Sequence, residues 1–281
     1  STLTSSLSVG ATLDVAAAAT LSSTLAVTDA TTLSSTLAVT GASTLTSSLS
    51  VGATLDVAAA ATLSSTLAVT DATTLSSTLA VTGASTLTSS LSVGATLDVA
   101  AAATLSSTLA VTDATTLSST LAVTGASTLT SSLSVGATLD VAAAATLSST
   151  LAVTDATTLS STLAVTGAST LTSSLSVGAT LDVAAAATLS STLAVTDATT
   201  LSSTLAVTGA STLTSSLSVG ATLDVAAAAT LSSTLAVTDA TTLSSTLAVT
   251  GASTLTSSLS VGATLDVAAA ATLSSTLAVT D

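Results

Sequence analysis

The chain contains no Lys, Arg, His, Cys, Met, Pro or aromatic residue, and each absence removes a class of function. Without imidazole, thiol or amine there is no general base poised near neutral pH and no nitrogen or sulfur ligand for a transition metal. No catalytic, cofactor-binding or metal-ligating residue is therefore assigned, and the chain is read as no enzyme and as using no cofactor. The formal charge of -14 is carried by acidic side chains with no base to offset them. Nucleic acid and acidic membrane surfaces, both of which attract cations, drop out as partners. The lack of Cys excludes disulfides and gives no redox information. Long apolar runs are missing too: despite a mean hydropathy of +0.91, the longest stretch free of Ser, Thr, Gly and Asp is Val15 to Ala19. A membrane-spanning helix needs about 20 apolar residues, and a membrane barrel would show girdles of aromatic side chains.

What remains is an alphabet of seven residue types used with strict repetition. The segment at 1–42 recurs unchanged, and six full copies plus a 29-residue partial copy make up the 281 residues. Residues 1–281 read as one continuous array, expected to be a window on a longer chain. Disorder is disfavoured, because Leu and Val fill 11 of every 42 positions and only 5% of residues are charged, whereas disordered chains combine few large apolar residues with high charge.

The large apolar residues of one copy, Leu3, Leu7, Val9, Leu13, Val15, Leu21, Leu25, Val27, Leu33, Leu37 and Val39, all carry odd numbers, and nine of the ten Thr carry even ones. A period of two places apolar side chains on one face of a strand and hydroxyls on the other. A helix fails: Leu3 and Leu7 are four apart, but Val9 follows after two, which scatters the set around a helical cylinder. The alanine run 16–19 is too short to nucleate one. The pattern predicts strands of about eight residues punctuated at Gly10-Ala11, Ala16 to Ala19, Thr28-Asp29-Ala30 and Thr40-Gly41-Ala42. Asp29 and Gly41 occupy one turn site filled two ways, Asp through a local hydrogen bond to the backbone and Gly through access to positive φ. Ser5, Ser23 and Ser35, each between two leucines, are expected to point inward where the interior is narrow.

Four units starting with Thr-Leu divide each copy into lengths of 10, 8, 12 and 12, and every difference is even, so the alternation is never lost. Unpaired strand edges recruit other chains, and there is no Lys or Pro to block them. Self-association is thus expected, as a homotrimer or a higher filament. Two closed folds fit. In one, three chains intertwine as a trimeric β-helix or β-spiral shaft with odd residues inward; in the other, a single chain coils as a β-solenoid. Units of unequal length favour the trimer, since equal rungs keep a solenoid's ladders in register, although the segments 2–19 and 20–43 could form two rungs of different size.

The phrases TTLSSTLAVTGA and STLTSSLSVGATL resemble the repeats in the shafts of bacteriophage tail fibres and related long surface fibres. The resemblance covers the whole chain and implies a trimeric, β-rich, rigid shaft on the outside of a cell or virion, with a receptor-binding or chaperone tip elsewhere in the chain. Perfect repetition without Lys, Arg or Asn departs from typical shafts and keeps open a cellular surface filament. The leading expectation is a structural spacer. The alternatives are a solenoid filament or adhesin with a Thr-rich, ice-binding face, and a functional amyloid. What the fibre attaches to is left open. Asp14, Asp29 and Asp56 stand far apart in the sequence and are too isolated for calcium, which takes six to eight oxygen ligands.

Overall fold

The structure is a computed structural model that describes residues 1–280. It is all-β, and the chain divides into two compact units, Ser1–Ala142 and Ala143–Asp281. The first copy supplies β1 (Thr2–Leu3), β2 (Leu7–Val9), β3 (Leu13–Val15), β4 (Ala19–Leu21), β5 (Leu25–Val27), β6 (Thr31–Leu33) and β7 (Leu37–Val39). Strands after the first are three residues long, not about eight, and start every six residues. Within each unit every third strand joins the same sheet. All pairing is parallel, and the register advances by three six-residue blocks at each step, as in Ala19↔Leu37 and Leu37↔Leu55. Each unit is therefore a single-chain β-solenoid whose triangular turn holds three strands and three corners. The first unit stacks eight turns in this way.

The expectation of three intertwined chains gives way here, because the three walls come from successive strands of one chain. The objection from unequal units also dissolves. Every turn is three six-residue blocks and the copy at 1–42 is seven, so the Thr-Leu units simply straddle the true blocks. The repeat advances two and one-third turns per copy.

Each block places its first and third residues inward and its second outward. In four blocks the inward pair is Leu then Val: Leu7 and Val9, Leu13 and Val15, Leu25 and Val27, Leu37 and Val39. In the other three the first residue shrinks and the second grows: Ser1 and Leu3, Ala19 and Leu21, Thr31 and Leu33. Side-chain bulk is thus exchanged along the strand rather than lost, which is how facing layers interdigitate without voids. The order of blocks guarantees that any three in succession include at least one small first residue, so no turn must fit three leucines at one level. Away from the first and last turns these inward residues are almost fully excluded from water, as at Leu79, 0% exposed.

The fifth residue of each block, although odd, forms the corner. Ser5, Ser23 and Ser35 lie there with Ala11, Ala17, Asp29 and Gly41, so the expectation that these serines point into the core is corrected. Ser23 and Ser35 are half-buried and Ser5 is exposed. A Ser-Ser step between leucines is a corner, not the middle of a strand: the serines fall between successive three-residue strands. The backbone ladder continues around corners: the Thr28 amide donates to the Val9 carbonyl at 3.0 Å and the Gly41 amide to the Ser23 carbonyl at 3.2 Å. No described residue has positive φ, so glycine is not needed for turning. Its role is close approach. A Cβ on Gly125 would lie 2.6 Å from the Ser107 carbonyl carbon and 2.8 Å from the Thr108 nitrogen.

Candidate functional surface

No pocket opens on the described residues. The outward residue at the centre of each strand runs Thr2, Ser8, Asp14, Thr20, Ala26, Thr32 and Ala38 along one copy. Stacking every third strand reorders them. Up one sheet of the first unit the series is Thr2, Thr20, Ala38, Asp56, Thr74, Ser92 and Ala110. The even-numbered threonines are shared among all three walls and are interrupted on each by Ala, Ser and Asp. Six of the nine belong to corners, leaving Thr2, Thr20 and Thr32 at strand centres.

Because seven blocks are not a whole number of turns, each copy begins one wall further round. Asp14 lies on the sheet containing β3, Asp56 on that of β1 and Asp98 on that of β2, and Asp140 returns to the first. Within the first unit the three walls thus carry the same residues in the same order, offset along the axis. Two aspartates at strand centres of one wall are seven turns apart, about 34 Å at ~4.8 Å per turn. That is several Debye lengths at physiological salt, so like charges never stack on adjacent strands, where they would be destabilising.

The 13 described aspartates are all exposed. Asp29 and its equivalents occupy corners, Asp14 and its equivalents strand centres. Among the described residues no three carboxylates gather as a possible metal site.

The interior holds a polar feature that sequence reading missed. Thr31 and its five equivalents, and Ser43 with its five, are first residues of blocks and lie among the core side chains. Their hydroxyl oxygens have no hydrogen-bond partner. Thr115, 1% exposed, sits in its ladder between Leu97 and Leu133. The signal was present in the sequence: Thr31 is the one odd-numbered Thr of the copy, two positions before a Leu.

No protein-family model, curated protein or solved structure matches the chain. The repetitive fold itself is that of a structural repeat protein, in which each turn contacts only its neighbours.

Proposed function

We propose that the array is a rigid spacer, the shaft of a fibre that holds another element at a distance on the outside of a cell or virion. The observation that carries this reading is uniformity. Among the described residues every turn is three six-residue blocks and none carries an inserted loop. Insertions in repeat proteins collect on one face, often the binding one; here the walls are alike. What such a wall supplies is a continuous backbone ladder around a close-packed core, which resists bending, and a length proportional to repeat number. The resemblance of TTLSSTLAVTGA to fibre shafts supports the same reading.

Chains carrying added copies of the segment 1–42 test it. Each copy contributes two and one-third turns, about 11 Å at ~4.8 Å per turn. Ten extra copies should lengthen the particles seen by electron microscopy by about 110 Å without changing their width. Thickening instead of lengthening would contradict a spacer role.

A further inference from the structure

We infer that the walls are lateral docking surfaces for a second copy of this chain, and that the aspartates are the only device holding copies apart. Apart from the aspartates the walls carry Thr, Ser and Ala at strand centres, with no Lys or Arg, so they lack the mixed charge that keeps protein surfaces from associating. The side chains are short, so two walls can meet closely without large side chains having to fold away.

Every charged side chain on the described walls is a carboxylate, and each face of the first unit bears some. Asp14, Asp56 and Asp98 mark the strand centres of the three walls in turn, and Asp29, Asp71 and Asp113 mark the three corners. No side-chain cation on a partner copy could pair with them. Two copies brought side by side therefore experience repulsion whichever walls meet. A self-associating surface with a single charge sign is opposed by its own field.

The area is sufficient once that field is removed. One wall of the eight-turn unit is about 38 Å tall at ~4.8 Å per strand and about 15 Å wide. Pairing two such walls removes roughly 1,100 Å² from water, close to the lower bound for a stable protein interface. Because the walls are equivalent, a copy with one wall covered retains two more. Association then continues laterally into bundles instead of stopping at a dimer. This inference concerns the walls alone and stands independently of the spacer reading.

The test is sedimentation velocity on the full chain in 10 mM and 1 M NaCl, alongside a variant with every Asp→Asn. The wild type should be monodisperse in low salt and associate in 1 M, where screening extends only about 3 Å. The Asn variant should associate at both concentrations. A third chain adds Ala80→Glu, Ala110→Glu, Ala122→Glu, Ala194→Glu, Ala206→Glu and Ala236→Glu to the Asn variant, which places one carboxylate on each wall of each unit. It should return to a single species in low salt. Association that survives these substitutions would locate the contact at the solenoid ends and overturn the inference. So would a monodisperse Asn variant that keeps its β circular dichroism. If that variant fails to fold, the wild type decides: a single species in 1 M NaCl overturns the proposal.

Discussion

Replacing the orphaned core hydroxyls should stabilise the protein, and Thr115 is the place to begin. Its side chain is 1% exposed, its Oγ1 has no hydrogen-bond partner, and its ladder neighbours are Leu97 and Leu133. Burying a hydroxyl without a compensating bond costs about 1–3 kcal/mol on the scale set by mutations in proteins. Thr115→Val keeps the branched shape, the χ1 preference and the strand propensity while removing that cost. The expected gain is about 1–3 kcal/mol per site. Thr199→Val, between Leu181 and Leu217 in the second unit, should add a similar increment, since distant sites are independent. With no aromatic residue to fluoresce, unfolding is followed by far-UV circular dichroism in guanidinium chloride, and the midpoint should rise with each substitution. Thr116→Val, at the exposed centre of the same strand, is the control and should change stability by less than about 0.5 kcal/mol. A midpoint lowered by Thr115→Val but not by Thr116→Val would mean instead that the hydroxyl makes a bond worth more than its burial costs.

Gly125→Ala should destabilise by about 1–3 kcal/mol, read as a lower midpoint in the same assay, because the new Cβ would meet the backbone of the turn below at 2.6 Å and backbone cannot step aside as a side chain can. Deleting one whole block, residues 115–120, should leave a cooperative transition near that of the parent, since all three walls accept the same blocks. Deleting only Ser118 and Ser119 preserves odd-even alternation but breaks the six-residue frame. It should broaden or split the thermal transition, and equal behaviour of the two deletions would show that parity alone specifies the fold.

The all-β class, the inward odd face and the outward carboxylates were legible because side-chain alternation is a local property of strands. Corners at Gly10-Ala11, Thr28-Asp29-Ala30 and Thr40-Gly41-Ala42 were legible from turn chemistry. The Ser-Ser corners at Ser5, Ser23 and Ser35 were not, since a small polar residue flanked by leucines at odd positions satisfies the inward rule equally well. Their misplacement hid the six-residue frame and left the single-chain solenoid, which the structure bears out, as the alternative to the trimer. The frame was nonetheless recorded in the spacing of Leu-x-Val at 7, 13, 25 and 37, all separated by multiples of six. Ser1, Ala19 and Thr31 obscure it, because exchanging bulk along the strand moves the large residue from the first inward position to the second. The equivalence of the walls could be read only once the three-block turn was set against the seven-block repeat.

One chain closes on itself at every third strand, and a pair of spin labels on neighbouring turns reads that closure. Thr116 and Ser134 are partners on adjacent strands, so nitroxides attached through Thr116→Cys and Ser134→Cys have backbones about 5 Å apart. In dilute, low-salt solution the account predicts strong dipolar broadening that persists when the labelled chain is folded together with a large excess of unlabelled chain. Broadening that disappears on dilution would place the partner strand on another chain and contradict the solenoid.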